Sequence, residues 1–429
     1  MKLWDKGIST NALIDEFTIG RDREFDMVLA KHDVRGSIAH ATMLAEVGIL
    51  TSEEGNALVQ ELHTIEQEIE SGLFTIAPEM EDVHSQVEYL LTQRLGEVGK
   101  KIHTGRSRND QVLVDMKLFM REELCNVRDS VTTLFTTLLA LAEQHKEQLL
   151  PGYTHFQIAM PSSFGLWFSA YAESLTDDME LLVAAHNVVN KNPLGSAAGY
   201  GSSFPLNRTR TTELLGFSAM NVSSVYAQMT RGKSERIVAT ALASVAASLS
   251  KLAYDVCLYT SQNLAFVRLP AEFTTGSSIM PHKQNPDIFE LIRAKCNRLQ
   301  ALPNDILLVT NNLPSGYHRD FQILKELVFP AFTELQQCLQ LATLVLPQLQ
   351  ITHNIMNNEL YAYCFSVDAV NQLVQQGISF RDAYKQVGED IQRGEFTVPE
   401  HLTHTHEGSI GNLRLDLIQQ QMQRVLSAM

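Results

Sequence analysis

The sequence predicts an almost entirely α-helical protein built around a bundle of long helices, and three observations carry that prediction. Between Gly105 and Pro151 lie 45 residues without glycine or proline, room for a helix on the order of 65 Å at 1.5 Å per residue. A second such run lies between Gly232 and Pro270. Alternating β-branched segments bounded by turns, the usual mark of strands, are nearly absent.

In the first run, apolar side chains recur at Val112, Met116, Met120, Leu124, Val127, Val131, Leu134, Leu138 and Leu141. Steps of four or three make this one continuous helical stripe. Leu113, Leu118, Phe119, Phe135 and Leu139 widen it until, after Asp129, the helix reads as apolar all round. Such a helix needs neighbours on every side, so further chains are expected to complete the core as a homo-oligomer. Residues 162–190 and 331–346 read as additional helices. The centre of the second run, IVATALASVAASLS, is rich in alanine and serine, and small side chains allow close axial packing. Glycine and proline cluster at 193–205, 270–286 and 314–316, polar loops of the kind that carry sites. No fixed-period repeat or low-complexity tract interrupts the chain. Where the long helices begin and end, we expect an N-terminal helical domain at 1–105, a central long-helix domain at 106–354 and a small C-terminal helical domain at 355–429.

The length of 429 residues agrees with roughly three domains at about 150 residues each. A net charge of −15 repels phosphate backbones and anionic lipid, so neither nucleic acid nor membrane is an expected partner. An anionic small-molecule substrate must then meet a local basic cluster. The five cysteines are scattered, odd in number and without a C-x-x-C pair, which fits a reducing cytoplasm better than a disulfide framework or zinc site. MKLWDKGISTNALIDEF lacks an apolar run of signal-peptide length, and the uncharged stretch 130–142 falls short of the 18 or so residues a bilayer requires.

Four segments combine polar density with loop or helix-start character. HTGRSRNDQV (103–112) sets Arg106, Arg108 and Asn109 at the start of the long helix with Lys100 and Lys101 upstream, an anion site by helix polarity and guanidinium donors. Solvated arginines behind an N-cap at Ser107 or Asn109 are the structural alternative. PGYTHFQ (151–157) carries His155, able to pass a proton near neutrality, or else a capping or core histidine beside a turn hydroxyl, Thr154. GSSIMPHKQNPDIFE (276–290) has the composition of a mobile loop. Its Lys283 and Asn285, with the helix that Pro286 and Asp287 begin, suit a carboxylate. Fifteen residues is long for an ordinary interhelical connection. LPSGYHRDFQILKE (313–326) brings Tyr317, Gln322 and Lys325 near one another, suited to an amino acid or simply a solvated helix face. His401, His404 and His406 in HLTHTH lack organising spacing, and no metal or cofactor is expected. GYGSSF lacks the G-K-[ST] of a phosphate loop.

Taken together, HTGRSRNDQV, PGYTHFQ, NPLGSAA, GSSIMPHKQNPD and DVRGSIAHA at 33–41 resemble the argininosuccinate lyases. The GSS-x-MP-x-K-x-NP pattern is similar to the wider fumarase, aspartase and adenylosuccinate lyase superfamily. The resemblance implies an all-α, three-domain subunit in a tetramer whose central helices form a twenty-helix core, with each active site assembled from three chains. It implies Ser277 as general base, His155 with Thr154 on the acid side, and Glu290 holding His155. Lys283, Asn285, Ser37, Arg108, Asn109, Tyr317, Gln322 and Lys325 would then bind substrate, with Lys283 also stabilising the serine alkoxide. Ser278 is the rival for the base.

The sequence departs from the family pattern in places. NVSSVYAQMTRGKSE (221–235) lacks the usual D-A-V-S-D-R-D-like stretch, for which Arg231 or Lys233 is the available substitute. Met160 stands for a usual glutamine, and MPHKQNP leans toward adenylosuccinate lyase, the alternative enzyme. A catalytically silent, crystallin-like structural protein is the alternative from another class.

Overall fold

The computed structural model describes residues 12–399, 402 and 404–428. Helices α1 (Ala12–Ile19), α2 (Asp22–Glu46), α3 (Ser52–Glu70) and α4 (Val83–Leu95) precede the long helix α5 (Arg108–Gln144). A hairpin of β1 (Leu149–Thr154) and β2 (Gln157–Ser163) leads into α6 (Phe164–Val189). Short helices α7 (Arg208–Leu214) and α8 (Ser224–Met229) precede α9 (Lys233–Tyr259), α10 (Asp287–Leu299), α11 (Leu302–Thr310) and α12 (Leu324–Val345). The chain closes with α13 (Ser366–Gln375), α14 (Phe380–Arg393) and α15 (Leu415–Leu426).

Helix α5 runs for 37 residues, about 56 Å at 1.5 Å per residue. It starts where Ser107 and Asp110 form a capping box, Asp110 Oδ1 accepting from the Ser107 amide at 2.9 Å. It stops short of Pro151 because Leu149 already pairs with Ser163 in the hairpin. The predicted stripe from Met116 to Leu141 is buried along its whole length. Beyond Asp129, however, Thr133, Thr136 and Ala140 are exposed. The Thr133 and Thr136 hydroxyls donate to the Asp129 and Thr132 carbonyls, which lets threonine sit on an open helix face.

Helices α6 and α12 pack on α5, α9 packs on α6, and α10 packs on α9 and α12, all within one apolar core. Buried Ala239, Ala241, Ala246 and Ala253 allow the close approach to α9. Asp255 of α9 accepts from Trp167 Nε1 at 3.0 Å and Tyr171 Oη at 2.6 Å on α6. Among the described residues, α9 is the one helix long and apolar enough to cross a membrane, and over half of that stretch is buried in this core. Helix α15 returns to the same core through Ile418, Met422 and Val425. A separate cluster built from Ala30 to Ile102 holds α2, α3 and α4 together.

The hairpin departs from the strand-poor reading of PGYTHFQIAMPSS. Pro151 faces Pro161 across the ladder with a bulge beside Gly152, and the turn residues are His155 and Phe156 at φ 55° and 58°. Prolines within strands and a turn without Asn-Gly or Gly hide such a hairpin from pattern reading.

The N-terminal helices meet α5 through buried charge. His84 Nδ1 of α4 lies 2.7 Å from Asp33 Oδ1 of α2, and Asp115 Oδ2 of α5 is 3.7 Å away. Gln111 Nε2 donates to the same Asp33 oxygen at 2.6 Å. Burial by itself would lower His84, but Asp33, Asp82 and Asp115 outweigh it and raise the imidazole to about 9.

Two predictions follow from this packing. A Cβ on Gly165, at the start of α6, would lie 2.5 Å from Lys146 Cα and 2.7 Å from the Ala142 carbonyl, whereas one on Gly388 in α14 meets nothing within 4 Å. Gly165→Ala should destabilise by roughly 1–3 kcal/mol, while Gly388→Ala should be neutral or gain up to about 1 kcal/mol, as read by thermal melting. The His84 value of about 9 stands above its ordinary 6.5, so its stabilisation is complete below pH 6.5 and fades as pH rises through 9. Melting temperature should therefore fall over that window, and His84→Gln should flatten the fall; parallel curves would exclude the linkage.

Candidate active site

A pocket of about 240 Å³ opens where α2, α4, the start of α5 and the start of α12 converge. The capping box turns Arg108 and Asn109 toward it at the first turn of α5. Arg108 Nη1 pairs with Asp82 Oδ2 at 3.0 Å, and its Nη2 donates to Ser85 Oγ at 2.8 Å. Asp82 also caps α4 by accepting from the Ser85 amide at 2.8 Å. On the opposite wall, Lys325 Nζ sits 2.6 Å from both Asp22 Oδ1 and Asp26 Oδ1. Burial alone would lower this ammonium; the two carboxylates hold it above its ordinary value. Asp22 is pushed up to about 6 by burial, against the pull of Lys325. Gln322 donates to Asp22 and to the Thr18 and Ile19 carbonyls at the end of α1. Tyr317 completes the wall. Five residues singled out from two distant sequence segments thus share one pocket.

Sequence reasoning missed several of its neighbours. Asp22, Asp26, Glu81, Asp82, His84 and Arg319 also line the pocket. The acidic pair before VHS was a readable capping signal, but nothing local to the sequence ties it to Arg108. Of the two substitutes considered for the divergent stretch, Arg231 faces this pocket, held by Glu235 at 3.0 Å and the Phe321 carbonyl at 2.9 Å. Lys233 is exposed against Tyr226. Ser37 lies outside the pocket: it is fully buried, and its Oγ accepts from Arg106 Nη1 at 2.9 Å.

The other predicted residues lie at the opposite end of the bundle. Helix α10 begins beside the end of α9, where Arg293 and Glu290 approach Cys257, and the loop before it carries Ser277. Thr275–Gly276 pairs with Gln284–Asn285, pinching residues 277–283 into an exposed loop. Ser277 Oγ accepts from the Ile279 and Met280 amides at 3.3 and 3.1 Å, an arrangement that favours a negative charge on that oxygen. Ser278 and Lys283 are exposed, and Lys283 makes no side-chain ion pair among the described residues. Asn285 is half-buried. Thr154 and His155 stand exposed at the hairpin tip, where His155 borders a cleft of about 900 Å³ with Lys251, Tyr254 and Arg293. Holding His155 and Phe156 at positive φ costs energy that the surrounding ladder must offset. Glu290 is exposed on α10, and no hydrogen bond joins it to His155 among the described residues.

Asp33, His84 and Asp115 have donor atoms within 4.8 Å of one another. Asp33 already accepts from His84 and Gln111, so the group reads as a charge network under the pocket. His401 lies outside the described residues; His404 is engaged by Asp368 and Ser409 at 2.8 and 2.9 Å.

Comparison with known proteins places these features. A family profile described as Lyase matches residues 7–301. An argininosuccinate lyase of Bacteroides thetaiotaomicron is 59% identical over 99% of this chain and 95% of that protein. One from Stenotrophomonas maltophilia is 39% identical over 96% and 97%. Among solved structures, an EDDS lyase in complex with formate aligns at TM-score 0.78 with 22% identity, over 98% of this chain and 90% of that one. A class II fumarase from Schistosoma mansoni aligns at 0.73 with 16% identity, over 89% of each. These structural likenesses establish the all-α long-helix fold that the glycine-free runs predicted. With sequence identity sustained from end to end and the motif residues in place, the chain belongs to the argininosuccinate lyase family of the fumarase/aspartase superfamily.

Proposed function

We propose that this protein cleaves argininosuccinate to arginine and fumarate by general acid/base β-elimination, a reaction that forms arginine. The observation that carries the reading is the 59% identity over 99% of the chain to a protein of that name, with Ser277, His155 and Lys283 all present. Relatives at 56–59% identity share the name, so adenylosuccinate lyase is not favoured, and neither is a silent crystallin-like protein. The binding pocket lends chemical support. It combines Asp22, Asp26, Glu81 and Asp82 with Arg108, Arg231, Arg319 and Lys325, a mixed-charge lining suited to a substrate that carries carboxylates and cationic nitrogen together.

In this reading, Ser277 removes the proton next to a succinyl carboxylate, pushing charge onto a group that is already negative. Cations and donors aimed at that group lower the barrier, and Lys283 and Asn285 on the loop, with Arg108 and Asn109, supply them. The two amides already aimed at Ser277 Oγ, joined by Lys283, favour its alkoxide. His155, directly or through Thr154 or water, protonates the departing nitrogen, and Glu290 orients it. The leaving group becomes a guanidinium, which keeps its proton at any working pH.

The same reading makes the working form a homotetramer with a twenty-helix core and sites shared among three chains. It is supported by the separation of the two groups of residues within one chain. Exposed Leu181, Leu291, Leu308 and Leu344 on α6, α10, α11 and α12 support it too, and 240 Å³ is below the roughly 300–1,000 Å³ of most ligand pockets. The expected divisions at 105/106 and 354/355 stand as part of this proposal. So does a cytoplasmic location, which five free cysteines favour.

Fumarate release from argininosuccinate, followed by ultraviolet absorbance, tests the activity; turnover on adenylosuccinate instead would overturn it. Ser277→Ala should lower turnover by at least about 10² with little change in substrate affinity, and near-normal turnover would transfer the role to Ser278. His155→Asn should lose a similar factor, less with a substrate whose leaving group is better. Mixing Ser277→Ala with Arg108→Gln chains should restore measurable turnover if sites combine different chains, and none if each chain works alone.

A further inference from the structure

A cavity of about 470 Å³ lies between α2, α3, α5 and the end of α7 and shares no residue with the pocket of Arg108 and Lys325. Its floor is apolar, formed by Ile38, Leu118, Leu214 and Leu215. Its polar wall carries both signs of charge. Arg35 Nε donates to Glu66 Oε1 at 3.3 Å, and its Nη1 stands 3.7 Å from Glu122 Oε2. Arg121 is anchored by donating to the Leu215 and Gly216 carbonyls at 2.9 Å. Lys31 pairs with Glu122, and His63 with Glu66.

One group in this wall is left over. His32 is 1% exposed, yet neither ring nitrogen has a hydrogen-bond partner. The Glu122 carboxylate, 4.0 Å from Nε2, is beyond bonding reach. Its ring packs edge-on against Phe119. Burial, with Lys31 alongside, holds the imidazole well below its ordinary value. A neutral ring presents one N–H donor and one acceptor lone pair. Leaving both unused in the interior is costly, and native structures rarely leave such groups unexplained.

We propose that this cavity is a second ligand site and that it takes a zwitterionic aliphatic α-amino acid. A simple anion would sit beside Glu66 and Glu122, and a simple cation beside Arg35, Arg121 and Lys31. A zwitterion answers both signs: the α-carboxylate meets Arg35 and the His32 N–H, and the α-ammonium meets Glu66 or Glu122. The aliphatic side chain covers the floor formed by Ile38, Leu118 and Leu214.

Calorimetric titration of the full protein with L-leucine tests this. One site per chain is expected, unchanged in Ser277→Ala. Arg35→Gln, a substitution at a half-exposed position, and His32→Phe should each weaken binding by about tenfold or more, the loss of one hydrogen bond to a charged group. Isocaproate, which lacks the ammonium, and isoamylamine, which lacks the carboxylate, should bind at least about tenfold more weakly for the same reason. Absence of L-leucine binding, full affinity in Arg35→Gln, or equal affinity for either analogue would overturn the assignment.

Discussion

The length of α5 is the constraint on which the rest depends. Its first turn carries Arg108 and Asn109, and its last residue leads straight into the hairpin that carries His155. At 1.5 Å per residue those ends stand about 55 Å apart, and a hairpin arm of six residues recovers only about 20 Å at 3.3 Å per residue. A rigid rod of this kind cannot bend its ends together without breaking its hydrogen-bond ladder and exposing its buried stripe. The proposed reaction uses both ends, which is why the proposal draws them from different chains and takes the exposed leucines on neighbouring helices as the surface for that association.

The two ends are also built differently. At the start of α5 the polar groups are held before any substrate arrives. The Asp110 carboxylate that caps the helix also accepts from the Gly195 and Ala197 amides at 2.9 Å, which ties the glycine-rich turn to the pocket wall. Lys325 is fixed between Asp22 and Asp26, and Arg108 between Asp82 and Ser85. Groups satisfied in this way lose little freedom when a ligand binds. At the other end, Ser277, Lys283 and the hairpin tip face outward on an exposed loop and a turn. That contrast suits the proposed site, in which the binding half is prebuilt and the reacting half is completed by association.

Buried charge sets the chemistry of the prebuilt half. His84, raised to about 9, lines the pocket, and the Asp33 and Asp115 carboxylates stand behind it, joining α2, α4 and α5 at one point. Removing one member of such a network leaves its partners buried and unpaired, which is costly. The network thus couples the integrity of the N-terminal helices to the placement of Arg108 and Asn109.

Much of this was legible in the sequence. Periodicity and the absence of glycine and proline set the long helices, since only a helix satisfies its backbone internally over 37 residues. The motif segments marked Arg108, Asn109, His155, Ser277 and Lys283 through residue types that suit anion binding and proton transfer. The hairpin was not legible, because Pro151, Pro161 and a His-Phe turn contradict the local preferences for strands, and cross-strand pairing overrode them. The carboxylates around Lys325 were not legible either: Asp22 and Asp26 lie some three hundred residues from it in the chain, and ion pairing acts through space. Local chemistry along the chain determined the helices and marked the side chains proposed to react. Only the tertiary structure decided which of them share a pocket, because long-range packing, not sequence neighbourhood, brings buried charges within hydrogen-bond reach.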